Sequence, residues 1–449
     1  MGKLFGTDGA RGVVGQDLTT ELAMRIGRAA ASVLTERTHH RPKVLIGKDT
    51  RISGDMLEAA LAAGLCSVGA DVVLVGVIPT PAVAYLVRLY KCDAGVVISA
   101  SHNPVEFNGI KIFNGDGYKL PDQVEASIEE LVFDPDKGPR LSVGGEVGRI
   151  YQRTTAVEDY VAHILECESP DLRGLRIGID CGNGAASETA KRLFDQLGAK
   201  CYFLGAAPDG CNINEGCGST HLAGLSRFVV ENQLDCGIAF DGDADRCLAV
   251  DETGAELDGD MIIAIFARAL RERGTLAGNT AVVTVMSNLG FMEYMKEQGI
   301  ATATTAVGDR YVLEEMRAHG HVLGGEQSGH VILLDYNTTG DGQMTAVMLL
   351  GILAESGLKM SELGSLYKKF PQVLVNLETT AQGKQKFKED EYLEGYIESQ
   401  QQQLIGLGRV LVRLSGTEPL IRVMVEGRNQ DEIEACAHRI ADKIKERIG

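Results

Sequence analysis

Nowhere in these 449 residues is there a run approaching the ~20 uninterrupted apolar residues of a membrane span. The opening residues, MGKLFGTDGARG, contain neither an apolar stretch of the secretory kind nor a small-residue cleavage site, so a cytoplasmic protein is expected. Basic charge is short as well. With 44 Lys+Arg against 62 Asp+Glu the formal charge is −18, and no basic tail is present. That balance argues against nucleic acid as the partner and leaves any anionic ligand to be met by local arginines and lysines. The ten cysteines never form a CxxC pair and are expected as small, mostly buried hydrophobes. Cys211, Cys217 and His221 are close in sequence but lack a fourth ligand and a standard zinc spacing, and Cys247 reads as a strand residue. Two catalytic signatures are missing too: GxSxG of the nucleophile elbow and GxxxxGK[ST] of the P-loop. What is present is an apolar fraction of 44% with mean hydropathy near zero, the composition of a soluble globular chain. At roughly 150 residues per domain the length suggests about three domains.

From about residue 20 helical patterns alternate with short apolar runs. LTTELAMRIGRAAASVL reads as an amphipathic helix, VLIGKD (44–49) as a strand, and SGDMLEAALAAGLCSVGA as a helix capped by Ser53. Such alternation implies a mostly parallel sheet covered on both faces. The loose stretch 133–148 reads as a boundary, after which the pattern restarts, and a third round begins near Asp258. The last eighty or so residues place strands before helices, including a Gln-rich helix (388–404) and a C-terminal helix (430–447). The expected fold class is therefore α/β: three similar mixed or parallel-sheet α/β domains plus a smaller C-terminal α+β domain around one central cleft. The expected limits are 1–150, 151–255, 256–368 and 369–449.

Several motifs carry chemistry. DGDADR (241–246) sets Asp241, Asp243 and Asp245 at alternate positions after an apolar strand, where α/β sheets place their ligands. In extended chain the carboxylates would be ~7 Å apart, so Gly242 is expected to let the backbone curl. A divalent cation would cancel the resulting repulsion; oxygen ligands beside Arg246 favour Mg²⁺ bound with a phosphate, against the alternative of a solvated acidic turn. VVISASHNP (96–104) leaves Ser101 at a strand end, either as a nucleophile or as a turn residue. In extended chain His102 would point away from it. Lys111 in NGIKIF is a candidate acid/base or phosphate-neutralising group, or an ordinary strand lysine. RLSGTEP with LIR (413–422) offers Arg413, Ser415, Gly416, Thr417 and Arg422 as a phosphate cradle. GGEQSGH (324–330) offers Glu326, Ser328 and His330 to the hydroxyls of a polar substrate.

GTDGARG (6–12), SASHNP (99–104), DGDADR (241–246), GEQSGH (325–330) and RLSGTEP (413–419) stand in the order, and near the spacings, of the α-D-phosphohexomutases, and the resemblance covers essentially the whole chain. Ala10 departs from the larger aliphatic residue expected in GTDGxRG, while Asp8 and Arg11 remain. Gln327, the run NINEGCGSTH (212–221) and VGDRYV (307–312) resemble the bacterial branch that interconverts glucosamine 6-phosphate and glucosamine 1-phosphate on the route to UDP-N-acetylglucosamine and cell-wall precursors.

The resemblance implies that Ser101 is a phosphoserine, primed by a sugar 1,6-bisphosphate. It implies one Mg²⁺ held by Asp241, Asp243, Asp245 and a phosphoserine oxygen, with Arg11, His102, Lys111 and Arg246 around the transferred group. Glu326 and Ser328 would hold sugar hydroxyls with His330 nearby, and Arg413, Ser415, Gly416, Thr417 and Arg422 would grip the phosphate that is not reacting. Expected partners are small-molecule sugar phosphates, with neither nucleic acid nor membrane, and a homodimer is allowed. The rival readings are a phosphomannomutase/phosphoglucomutase, a Mg²⁺-dependent phosphatase, and a sugar-phosphate-binding regulator without turnover.

Overall fold

The computed structural model describes residues 4–6, 8–35, 40–134, 138–415 and 419–448. Its first sheet has seven strands: β1 (Phe5–Gly6), β2 (Gly9–Val13), β3 (Lys43–Lys48), β4 (Asp71–Val77), β5 (Ala94–Ile98), β6 (Phe107–Asn114) and β7 (Ile150–Gln152), in the order β1-β2-β6-β5-β3-β4-β7. β5, β3, β4 and β7 run parallel, β6 pairs antiparallel with β5, and β2 pairs antiparallel with β6, which makes the sheet mixed. Period-2 geometry sends Val44, Ile46, Val96 and Ile98 to one face, where they join the core formed with helices Thr20–Thr35, Ser53–Ser67 and Asp122–Phe133. The other face packs on helix Thr80–Leu89, whose Val83 and Val87 come so close to Gly47 and Gly95 that a β-carbon there would collide or crowd. β7 still belongs to this sheet, so the sheet ends two residues past the expected limit at 150. Ser53 is the first helical residue and not the cap: Ile52 precedes it in helical conformation, and the Ser53 hydroxyl accepts from Asn108 instead.

The second sheet holds β8 (Arg176–Asp180), β9 (Lys200–Leu204), β10 (Cys236–Phe240), β11 (Cys247–Asp251) and β12 (Glu256–Leu257), ordered β12-β11-β10-β8-β9. β9, β8 and β10 are parallel, β11 pairs antiparallel with β10, and β12 pairs antiparallel with β11. The third is β14-β13-β15-β16, built from β13 (Thr280–Thr284), β14 (Ala301–Thr305), β15 (Leu323–Gly325) and β16 (Val331–Leu333). Helix Gly342–Ser356 is apolar around its whole circumference and buried from Gly342 through Leu353, as expected of an interior helix.

The described contacts divide the chain into two compact units. One comprises residues through Met286 together with Ile300–Leu366; the other comprises Ser287–Gly299 and the chain from Tyr367 onward. The second unit carries an antiparallel sheet, β17 (Gln372–Glu378), β18 (Gly408–Leu414) and β19 (Leu420–Gly427), ordered β17-β19-β18, against helix Gln430–Ile448. The Gln-rich helix runs over Glu391–Gln403, beginning where the Asp390 side chain accepts from the backbone of Leu393, and a separate helix, Ala381–Glu389, precedes it. No helix among the described residues is long and apolar enough to cross a membrane.

Candidate active site

Ser101 sits three residues past the end of β5, buried, with φ at +52°, the left-handed region that non-glycine residues seldom enter. That turn changes the geometry expected of extended chain. The Ser101 hydroxyl lies 3.3 Å from His102 Nδ1 instead of diverging from it, and it donates to Asp241 Oδ2 at 2.6 Å.

Asp241 opens DGDADR directly after β10. Carboxylate oxygens of Asp241, Asp243 and Asp245 come within 4.8 Å of one another, all three residues being buried. The curl falls on Ala244, at φ +55°, and not on Gly242 as the sequence suggested. Gly242 is needed for space, since a β-carbon there would stand 2.5 Å from the Ser101 carbonyl oxygen. Burial drives the Asp241 carboxyl well above the usual range, and repulsion from Asp245 and Asp243 adds to it. Charges about 4 Å apart repel by about 4 kcal/mol at an effective dielectric of ~20, which a cation would reverse. One oxygen each of Asp243 and Asp245 is buried without a hydrogen-bond partner among the described residues. Three convergent hard oxygen ligands, two with unused lone pairs, fit Mg²⁺.

Cations close the other side. Lys111, on β6, is buried, with Nζ 2.8 Å from Asp243 Oδ2, 3.1 Å from Asp8 and 3.6 Å from Asp245, so it is no ordinary strand lysine. Burial opposes its charge, but Asp243, Asp8 and Asp245 outweigh that and hold the ammonium protonated far above the lysine range. Arg11 pairs with Asp8, which also takes Lys119 Nζ at 2.7 Å, and Lys119 reaches on to Asp309. The Arg246 backbone N–H donates to Asp241 at 3.2 Å, and its Nε stands 3.9 Å from Asp245. Burial, then Arg246 and Arg11, press His102 down to about 4, so its imidazole is neutral at pH 7.

The GEQSGH loop divides. His330 is brought to the cluster, with Nδ1 3.6 Å from Asp245, while Nε2 accepts from the Gly340 backbone at 3.1 Å. Glu326 accepts from the Gly308 backbone at 3.1 Å, Gln327 donates to Asp258 at 3.2 Å, and Ser328 is exposed. In the C-terminal unit Arg413 and Arg422 stand directly opposite each other across β18 and β19. Directly opposed residues share a face of the sheet, so the two guanidinium groups leave the strands on the same side. The Ser415 carbonyl accepts from Lys384 Nζ at 2.5 Å. Gly416 and Thr417 lie outside the described residues. Cys211, Cys217 and His221 are engaged separately or exposed: Cys217 accepts from Asn183, His221 faces Thr220, and Cys211 is exposed.

Sequence reasoning passed over Asp49, Arg51, Thr80 and Asn214. Thr80 donates to Asp243 at 2.7 Å, and Asn214 donates to the Ser101 carbonyl at 2.9 Å. Asp49 and Arg51 lie in GKDTR, where two opposite charges at a strand end could have been read as a buried pair.

Models of the phosphoglucomutase/phosphomannomutase family match the chain in four successive stretches: alpha/beta/alpha domain I over residues 2–138, domain II over 158–254, domain III over 258–370 and the C-terminal domain over 374–443. The chain is 53% identical over 449 residues to a phosphoglucosamine mutase of Acetivibrio thermocellus, covering 100% of both chains. It is 54% identical over 448 residues to one of Thermoanaerobacter sp. strain X514, again with 100% of each covered. Among solved structures it is similar to a phosphoglucomutase/phosphomannomutase family protein from Burkholderia thailandensis, with a TM-score of 0.81, 26% identity, and 98% of this chain and 97% of that one covered. Four ordered domain matches, full-length identity above one half and the shared architecture agree with the motifs that converge on Ser101: the chain belongs to the phosphoglucomutase/phosphomannomutase family, the α-D-phosphohexomutases.

Proposed function

We propose that this chain interconverts glucosamine 6-phosphate and glucosamine 1-phosphate by passing a phosphoryl group through Ser101. It is an intramolecular phosphotransferase of the phosphohexomutase family, and its relatives at 53–54% identity over the full length are phosphoglucosamine mutases. The observation that carries the reading is the buried Ser101 hydroxyl donating at 2.6 Å into a cluster of three carboxylates.

A single phosphoserine must give its group to one end of the sugar and recover it from the other, so the bisphosphate turns round between two half-reactions. In each, the bond from phosphorus to the serine or sugar oxygen breaks as the bond to the other oxygen forms; the attacking hydroxyl loses its proton, and the leaving oxygen keeps the electron pair and gains a proton. Asp241, Asp243 and Asp245, with a phosphoserine oxygen, would hold Mg²⁺, which when bound neutralises charge on the phosphoryl oxygens. Lys111, kept protonated by its carboxylates, lends charge to the same oxygens and is a poor base. Arg11 and Arg246 flank them, and the neutral imidazole of His102 is able to accept a proton 3.3 Å from the serine oxygen. Glu326 and Ser328 would meet ring hydroxyls midway along the sugar in either pose, with His330 nearby. Arg413, Ser415, Gly416, Thr417 and Arg422 would hold the idle phosphate, which Arg413 and Arg422 suit by sharing one face.

The test is to incubate the enzyme with Mg²⁺ and sugar 1,6-bisphosphate, locate the added phosphate by peptide mass, and compare kcat/KM for glucosamine 6-phosphate, mannose 6-phosphate and glucose 6-phosphate. The phosphate should lie on Ser101, Ser101→Ala should fold yet lose turnover, and the amino sugar should be preferred. Near-wild-type rates in Ser101→Ala refute the carrier, and a preference for mannose or glucose phosphate refutes the substrate.

A further inference from the structure

The left-handed turn at Ser101 has to be held, because a non-glycine residue does not remain there unless its surroundings over-determine it. The holding group is Arg51. Its guanidinium is fully buried and has five N–H donors, and each finds an acceptor: Nε donates to Asp49 Oδ2 at 2.9 Å, Nη1 to the carbonyls of Pro104 and, at 3.0 Å, Phe107, and Nη2 to the carbonyls of Ser101 at 3.0 Å and Asn103 at 2.7 Å. Four of the five are backbone oxygens of one loop, residues 101–107. Asp49 completes the grip from the other side. It accepts from the Ser99 hydroxyl at 2.6 Å, and that hydroxyl accepts from the Ser101 backbone N–H at 2.9 Å. Both backbone polar groups of Ser101 are thus tied to one ion pair. Asn214, from the second sheet's segment, adds donors to the Ser101 and Asn103 carbonyls at 2.9 and 3.2 Å.

We propose that Arg51, braced by Asp49 and assisted by Asn214, is the positioning residue of the phosphoryl carrier: it fixes the loop so that the Ser101 oxygen points at Asp241. Arg51 reaches neither the Ser101 hydroxyl nor the carboxylate cluster, so it acts only through the backbone. The proposal rests on Ser101 being the carrier. Lysine cannot replace Arg51, since its three donors on one atom cannot span four carbonyls and Asp49.

Arg51→Lys, Asn214→Ala and Ser101→Ala, each carried in the full chain, separate the alternatives. Arg51→Lys keeps the charge beside Asp49 and should show a cooperative thermal transition. Its kcat, and the rate at which sugar 1,6-bisphosphate phosphorylates Ser101, should fall about ten- to a hundredfold, as displacement of a reacting atom by about 1 Å does. KM for the sugar phosphates should stay within about twofold, because no contact to substrate is lost. A folded Arg51→Lys with wild-type kcat, or one whose KM changes as much as its kcat, overturns the proposal. If Arg51→Lys does not fold, Asn214→Ala decides: a severalfold loss of kcat at unchanged KM upholds it, and unchanged kcat overturns it. Ser101→Ala distinguishes the two levels, since turnover there removes the carrier itself, whereas an inactive Ser101→Ala beside a fully active Arg51→Lys removes only the positioning role.

Discussion

Replacing Lys111 by methionine removes an ammonium that lies among the carboxylates of Asp8, Asp243 and Asp245 while nearly conserving volume. Its Nζ stands 2.8, 3.1 and 3.6 Å from oxygens of Asp243, Asp8 and Asp245. At an effective dielectric of ~20 each attraction is worth about 5 kcal/mol gross, most of it offset by the desolvation of burying the charges. Deleting one partner of a buried pair exposes that desolvation and costs about 3–5 kcal/mol net. For a domain of roughly 150 residues this lowers Tm by on the order of 10 °C. Lys111 also repels the cation that the cluster would hold, so the variant should bind Mg²⁺ more tightly even as its turnover collapses. A tenfold gain in affinity would return about 1.4 kcal/mol at saturating metal. Thermal unfolding in chelator and in excess Mg²⁺, with calorimetric titration of the metal, measures both effects. The gap between variant and wild type should be widest in chelator and narrow with Mg²⁺. A variant that melts with wild type in chelator, or binds Mg²⁺ more weakly, would show that Lys111 does not balance the carboxylates.

Asp243→Asn keeps the shape and one side-chain oxygen but removes a charge, so Mg²⁺ affinity and turnover should fall together; full activity in the presence of chelator would make the cluster structural. Arg422→Ala should weaken glucosamine 6-phosphate and glucosamine 1-phosphate by similar factors, about ten- to a hundredfold, as loss of a charge-assisted contact does. Mg²⁺ affinity should not change, and a loss confined to one substrate, read from binding isotherms, contradicts a cradle that serves both poses.

The strands of the three α/β sheets were legible because continuous apolar runs such as VLIGK and AGVVI need cover on both faces, and the alternation with helices supplies it. Less legible were positions where tertiary bonds override local preference. Nothing local to SASHNP calls for a left-handed serine, and DGDADR offers a glycine where the chain actually turns at alanine. Distant partners meet both segments: Arg51 and Asn214 bond the serine loop, and Thr80 and Lys111 bond the Asp243 carboxylate. Lys111 was read from the sequence, but Arg51, Asn214 and Thr80 escaped notice; in sequence, a buried arginine in GKDTR looks like any arginine near a helix start. The motifs that meet around Ser101 were therefore legible, while the groups that hold them came from contacts between residues as much as 163 positions apart.

The second unit is not made from one stretch of chain. Helix Leu289–Glu297 belongs to it: Phe291 and Tyr294 pack on Tyr367, Asn288 exchanges hydrogen bonds with the Phe370 backbone, and the Leu289 N–H donates to Glu426. During synthesis this helix leaves the ribosome well before the segment that covers it. At about 5–20 residues per second, the roughly 150 residues that follow take on the order of 10 s to appear. Through that interval the aromatic face of the helix is without Tyr367, the ring that Phe291 and Tyr294 pack on, in a nascent chain whose earlier sheets are already able to fold. The last unit to be completed is thus also the one with an early, sticky fragment waiting for it. Chains released prematurely after the third sheet would carry that fragment uncovered, as a site for aggregation or chaperone capture.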